Sequence, residues 1–164
     1  MIVVRRATLE DLPEVSRLLA NTWHATYDAI YGAARVDEIT ASWHAPHVLS
    51  HHLGHNGLRL VAVSNGHIIG TAADGRPDRV NDTKLAQLYV LPAAQRIGVG
   101  RTLLEAFIAE FPLAQRITLE VEPQNTCAIA FYMRHDFIEV GEVDNCGNAT
   151  NGIRAIVMAK QITT

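Results

Sequence analysis

The amino-acid sequence predicts an α/β fold (α+β by some schemes): a mixed sheet of about seven strands with helices on both faces, in the order βααβββαβαββ. Three observations carry this expectation. The spacing of apolar residues switches repeatedly between a period of two and one of about 3.6, as it does where strands are interleaved with helices. Asn65-Gly66 divides two β-rich runs, and that dipeptide supplies the positive φ angles of a tight hairpin. Past Pro92, glycines open an amphipathic stretch that leads to a further strand, which implies a βαβ crossover.

Each element has its own reason. Ile2 to Arg6 is a short β-branched strand, after which Leu12, Val15, Leu18 and Leu19 recur on one helical face. That helix is expected to start near Asp11, with Asp11 and Glu14 as a capping box and Pro13 tolerated in the first turn, and to run past Trp23. A second helix is expected between about Val36 and Leu53, its pattern diluted by histidines and Pro46. Leu58 to Ser64 and His67 to Ala73 form the hairpin. Gly75 to Asp82 is turn-rich, and Lys84 to Leu91 is the next strand, stopped by Pro92. Leu103, Leu104, Phe107 and Ile108 mark a helix from about Gly98 to Glu110, and Ile117 to Val121 alternates as a strand. Ala128, Ile129 and Phe131 belong to a short helix, and Phe137 to Val143 and Ile153 to Ala159 supply the last two strands.

Composition narrows the function. The 164 residues, 48% hydrophobic and 19% charged, suit one globular domain over 1–164. Fourteen Lys and Arg against seventeen Asp and Glu lack the basic footprint of a nucleic-acid binder, so no nucleic-acid partner is expected. No apolar run approaches the length of a membrane span and the N-terminus does not read as a secretory signal, so a cytoplasmic protein without a membrane partner is expected. Cys127 and Cys146 have neither disulfide-framework nor zinc spacing.

The segment richest in chemistry is Leu88 to Leu104, where a strand ends at a proline and a glycine-bearing loop opens directly into a helix. The first N–H groups of a helix lack internal partners and carry the positive end of the peptide dipoles, so a pyrophosphate suits them. Gly98 and Gly100 permit close backbone approach, Arg96 and Arg101 offer charge-assisted bonds, and Gln95 can donate from its amide. On its own a GxG at a helix start reads equally as tight packing of helix on strand.

The surrounding residues decide between these. Gln95-Arg96-Ile97-Gly98-Val99-Gly100, after Leu88-Tyr89-Val90-Leu91-Pro92, resembles the coenzyme A loop of the GNAT superfamily of N-acetyltransferases, Q/R-x-x-G-x-G/A after L-Y-V-x-P. A second block, Leu119 to Phe137, is similar to that superfamily's next motif, with Asn125, Ala128, Phe131 and Tyr132 in the expected places. One residue departs: Asp136 stands where members usually have glycine, at a helix end where a left-handed Asp is tolerated.

The resemblance implies a mostly antiparallel sheet and an enzyme transferring acetyl from acetyl-CoA, without a metal, to a primary amine by direct attack in a ternary complex. The implied cofactor site comprises Leu88, Tyr89, Val90, Gln95, Arg96, Ile97, Gly98, Val99, Gly100, Arg101, Asn125, Ala128 and Tyr132. The pantetheine arm would lie along the strand bearing Leu88 and Val90, one of whose N–H groups would serve as oxyanion donor. Tyr132 would protonate the departing sulfur; the plainer reading is a core aromatic. Glu120 would accept the amine proton, with Glu122 as substitute, against the plainer reading of a solvent-facing strand glutamate. In such proteins the first two helices form the acceptor side, which draws attention to Trp23, His24, Tyr27 and Tyr31, with Trp23 and Tyr27 as substrate-binding candidates. The acceptor, a small-molecule amine or a peptide, is left open, its pocket also taking in the loops around Gly75 to Asp82 and Asp144 to Asn151. Homodimers are common in similar families.

Two other features point elsewhere. His47, His51 and His55 would share a face on a continuous helix, yet Gly54 interrupts and no carboxylate accompanies them, so a solvated polar face is the better reading. Cys127 lacks a histidine in recognisable relation and reads as a small packing residue. A Rossmann oxidoreductase is disfavoured because Leu103 occupies the third glycine position of G-x-G-x-x-G. A non-catalytic coenzyme A sensor or interaction module is the remaining alternative.

Overall fold

The computed structural model describes residues 1–54, 57–74, 81–146 and 152–162. The strands are β1 (Val3–Arg6), β2 (Arg59–Ser64), β3 (His67–Asp74), β4 (Asp82–Val90), β5 (Arg116–Val121), β6 (Ile138–Val143) and β7 (Ala155–Gln161). The helices are α1 (Leu12–Tyr31), α2 (Ala33–Trp43), α3 (Pro46–Leu49), α4 (Val99–Ala109) and α5 (Thr126–Arg134). Hydrogen-bonded strand neighbours run β1-β2-β3-β4-β5-β7-β6, with β4 parallel to β5 and antiparallel ladders for β1–β2, β2–β3, β5–β7 and β6–β7. The expected mixed, mostly antiparallel sheet is therefore present. Two compact units are distinguished, Met1–Asp74 with Gln87–Glu110 and Gly75–Ala86 with Phe111–Thr164, and β4 contributes to both. No helix among the described residues is long and apolar enough to cross a membrane.

In the first unit α1 buries Leu12, Val15, Leu18 and Leu19 against Leu49, Val61 and Ile68, the face its spacing predicted. Its cap differs from expectation. A 3-10 turn, Leu9–Asp11, precedes the helix, and the capping box joins Thr8 and Asp11: Thr8 N and Oγ1 donate to Asp11 Oδ2 at 2.8 and 3.2 Å, and Asp11 N donates back to Thr8 O at 3.2 Å. Glu14 instead accepts from Ile68 N of β3 at 3.0 Å, so the box sits one turn earlier and frees Glu14 for a tertiary bond. The second expected helix is also corrected: it breaks into α2, α3 and a 3-10 turn at Ser50–His52. Pro46 disfavours helical geometry at the residue before it, and Ala45 accordingly sits extended at φ −62°, ψ 144°.

The Asn65-Gly66 hairpin forms as expected, with φ of 51° and 79°. A bulge at Ile69 follows from the register Ala62↔Gly70 and Val63↔Ile68. It lets Val61 and Ile68 face α1 while Gly70 faces α4, where an added Cβ would lie 2.8 Å from Leu103 Cδ1, 3.1 Å from Val99 Cγ1 and 3.2 Å from Tyr89 O. Gly70 thus permits α4 to lie tightly on the hairpin, opposite α1, and helices cover both faces here.

In the second unit β4 and β5 pair from Asp82↔Arg116 to Leu85↔Leu119, joined at the start by an Asp82–Arg116 ion pair at 3.0 Å. β5 alternates as predicted, burying Ile117, Leu119 and Val121. Helix α5 ends in a Schellman motif: Phe137 N bonds Tyr132 O at 3.1 Å and Asp136 N bonds Met133 O at 3.2 Å, with Asp136 at φ 67°. The left-handed aspartate expected from the sequence is the residue that closes it.

Candidate active site

The expected cofactor segment lies in the first unit. The β4–β5 ladder ends at Leu85↔Leu119, whereas β4 itself continues through Leu88, Tyr89 and Val90, all half-buried. Gln95 Nε2 donates to Val90 O at 3.0 Å, folding the loop back onto the strand end. Arg96 and Gly98 both take positive φ, 64° and 93°, which turns the chain into α4 with Gly98 as N-cap. The first bond closing onto that cap is Thr102 N to Gly98 O at 3.0 Å, so the amides before it lie outside the helical ladder, as at any helix start. Val99 is buried and anchors the turn, while Gln95, Arg96, Ile97 and Gly98 are exposed and Gly100 half-buried. Arg101 Nε bonds Glu105 at 2.7 Å, so its charge is already directed along the helix; this bond raises its pKa.

The acceptor-side aromatics occupy the same unit. Trp23 and Tyr27 are buried, their ring centroids 4.5 Å apart, and Trp23 also meets Trp43 edge-on at 5.8 Å and Tyr89 at 6.4 Å. Tyr31 stacks on Tyr27 at 5.8 Å. His24 bridges the first two helices, with Nδ1 2.7 Å from Asp28 and Nε2 3.0 Å from Asp37; the Asp28 bond chiefly raises its pKa.

Beneath these lie buried polar groups that the sequence-derived candidates did not include. Arg59, 1% exposed, donates to Thr71 Oγ1 at 3.1 Å and Gln87 Oε1 at 2.8 Å; burial lowers its pKa to about 10, against an opposing pull from Asp74. Burial, and then the Arg59 charge, push His44 down to about 4. Trp23 Nε1, His44 Nδ1 and Arg59 Nε have no hydrogen-bond partner among the described residues. The only sequence signal for Arg59 was a cation at the head of an apolar strand.

The second unit holds the candidate acid and base. Tyr132 is buried, ring edge against Phe137 at 5.4 Å and Phe131 at 5.3 Å. Asn125 caps α5, its Oδ1 accepting from Ala128 N at 3.2 Å. Glu120 points to the face of β5 opposite its buried apolar residues, 2.6 Å from Lys84 Nζ. It is no simple solvent-facing glutamate, because its side chain is 12% exposed. Cys127, expected as a small buried packing residue, is instead exposed at the start of α5. His47 and His51 fall in α3 and the 3-10 turn, so no continuous helix carries the expected histidine face; His55 lies outside the described residues, as do 75–80 and 147–151 of the loops expected around the acceptor.

A strand that outruns its ladder, turns at glycine and opens a helix defines a class of α/β protein suited to an extended, phosphate-bearing ligand. The sequence model of the acetyltransferase (GNAT) family matches residues 17–137, and the chain belongs to that family. The protein of Bacillus subtilis (strain 168) named as the uncharacterized N-acetyltransferase YuaI is 30% identical over 116 residues, 69% of this chain; the chain spans 65% of that relative's length. The PaiA N-acetyltransferase of Thermoplasma acidophilum, solved with coenzyme A, superposes with a TM-score of 0.82 at 20% identity, covering 99% of each chain. A ribosomal-protein-alanine N-acetyltransferase from Brucella melitensis gives 0.71 at 27% identity over 98% of this chain and 99% of its own.

Proposed function

We propose that the protein transfers an acetyl group from acetyl-CoA to a primary amine by direct attack in a ternary complex, all within one catalytic domain. The observation that carries this reading is the run of β4 beyond Leu85 and the exposed Gln95–Gly98 turn that leads into α4. The fit is chemical as well as spatial: the positive-φ turn brings amides, not side chains, to the helix start, and the residues before it are exposed. Backbone groups of Leu88 and Val90 hold the pantetheine arm, and residues 95–101 with Asn125 and Ala128 hold the rest. A strand N–H stabilises the negative charge that develops on the thioester oxygen.

The amine nitrogen bonds to the thioester carbon as the carbon–sulfur bond breaks. An aliphatic amine of pKa about 10.4 is almost wholly protonated at neutral pH, so Glu120 takes its proton, directly or through a water. Tyr132 gives its phenolic proton to the sulfur. Trp23 and Tyr27 form the acceptor side, which takes a small-molecule amine or a peptide terminus. The test is a calorimetric titration with acetyl-CoA, with NADH as control, followed by coenzyme A release over a panel of amines. Saturable binding of acetyl-CoA alone and turnover with any amine support the reading. Binding without turnover favours a coenzyme A sensor, and no binding removes both.

A further inference from the structure

The second unit sets a half-buried carboxylate among partners drawn from separate parts of the chain. Lys84 lies opposite Thr118 in the parallel β4–β5 pair, so Glu120, two residues on and on the same face, comes within reach. Nζ to Oε1 is 2.6 Å, with the side chains 24% and 12% exposed. After β6, Cys146 N bonds Ile153 O at 2.8 Å, and the Cys146 thiol is hydrogen-bonded to Glu120. The other charged groups acting on this cluster among the described residues are Glu122, just past the end of β5, and Arg154, which bonds Glu142 at 2.6 Å and feels Asp144 and Glu122. A shielded carboxylate is unfavourable unless both charge and hydrogen bonds are supplied to it, and here a cation and a thiol supply them.

We propose that Lys84 and Cys146 are positioning residues for Glu120, restraining its carboxylate to one rotamer and keeping its remaining lone pairs for the proton of the acceptor amine. The inference rests on Glu120 being the proton acceptor proposed above. The two partners do different work. Lys84 is a compact point charge that balances the carboxylate, while a thiol is a weak donor that restrains the rotamer and takes little of its basicity. Burial first, then the Glu120 charge and hydrogen bond, push the Cys146 thiol up to about 12, Lys84 opposing, so at neutral pH the proton sits on sulfur and is available to donate.

Cys146 therefore reports on the cluster without any acceptor. In a Cys127→Ser background, alkylation of Cys146 by iodoacetamide is followed by mass spectrometry at mildly alkaline pH. Glu120→Gln, nearly isosteric, is expected to speed it about tenfold, the change in thiolate fraction for one unit of pKa. Lys84→Met should slow it, and Lys84→Arg should leave it close to the parent rate. An alkylation rate unmoved by Glu120→Gln and Lys84→Met overturns the proposal and leaves the role of Tyr132 untouched. A second arm uses an amine identified by coenzyme A release: Lys84→Met should lower kcat with KM for acetyl-CoA unchanged, and Lys84→Arg should restore most of it. A loss shared between kcat and KM would indicate general disruption and overturn the positioning role. If the thiol responds as stated but kcat does not fall, Glu120 is positioned as described and the proton-transfer reading is what fails.

Discussion

Arg59 and Lys84 are both cations on strands facing inward, and the two units treat them differently. Arg59 is 1% exposed and, among the described residues, donates to neutral Thr71 and Gln87, so desolvation outweighs the pull of Asp74 and its pKa falls to about 10. Lys84 retains 24% exposure and meets a carboxylate directly at 2.6 Å. Removing a charge from water without an opposite charge in contact favours the neutral form, whereas contact pairing favours both charges. The first unit thus spends its interior polarity on holding strands in place, and the second keeps a cation and a carboxylate in contact, the pair on which the proposed proton transfer draws.

The largest effect that could break this contrast is expected at His44. Its folded pKa of about 4 lies below the ordinary 6.5, so the unfolded chain takes up the proton first. Its contribution to stability is fully present above the ordinary value and is lost as pH falls toward about 4, by on the order of 3 kcal/mol in total. Urea unfolding across that window, comparing the wild type with His44→Leu, should show the extra acid sensitivity only in the wild type. Equal sensitivity would mean that the first unit does not hold its histidine neutral.

Next comes the chemistry of the second unit. Tyr132→Phe should lower kcat by ~10², about 2.7 kcal/mol of barrier, with acetyl-CoA affinity unchanged by calorimetry. An unaltered kcat would reduce Tyr132 to a packing residue and with it the division of labour between the units. A smaller effect sharpens the apolar side of the comparison. Gly70→Val should lower stability by about 2 kcal/mol, read as a fall in Tm, because backbone oxygen of Tyr89 as well as side chains of α4 crowd the new carbons.

The smallest effect concerns His24, a half-buried histidine between two carboxylates. Its pKa is raised, so its contribution is present below the ordinary value of 6.5 and disappears as pH rises through the higher folded value. The difference in Tm between wild type and His24→Gln should therefore be positive at mildly acid pH and vanish at alkaline pH. A difference that grows with pH would mean that the two carboxylates are not its partners.

What could be read from the sequence was what depends on near neighbours in the chain. Asn65-Gly66, the Gly98 turn and the left-handed Asp136 are local backbone events, and each is found where the sequence put it. The alternation of β5 and the apolar face of α1 are periodic and equally plain. The second helix misled because the local force of Pro46 on Ala45 outweighed a diluted period. The interior polar partners were out of reach for a different reason. Thr71 and Gln87 lie far along the chain from Arg59, and Lys84 and Cys146 far from Glu120, so only the tertiary fold brings them together.

The Schellman motif at the end of α5 makes one residue answer to two demands. Tyr132 supplies the carbonyl that receives Phe137 N, and its ring packs on Phe137, while Lys160 reaches across from β7 to His135 O at 2.9 Å and Asp136 at 3.5 Å. Substitutions at 136, 137 or 160 would therefore shift the aim of the phenol even where they leave the fold intact. With Tyr132 as the proposed acid, mutational tolerance at this helix end, scored by expression or melting, would overstate how freely these positions can drift while the protein keeps its rate.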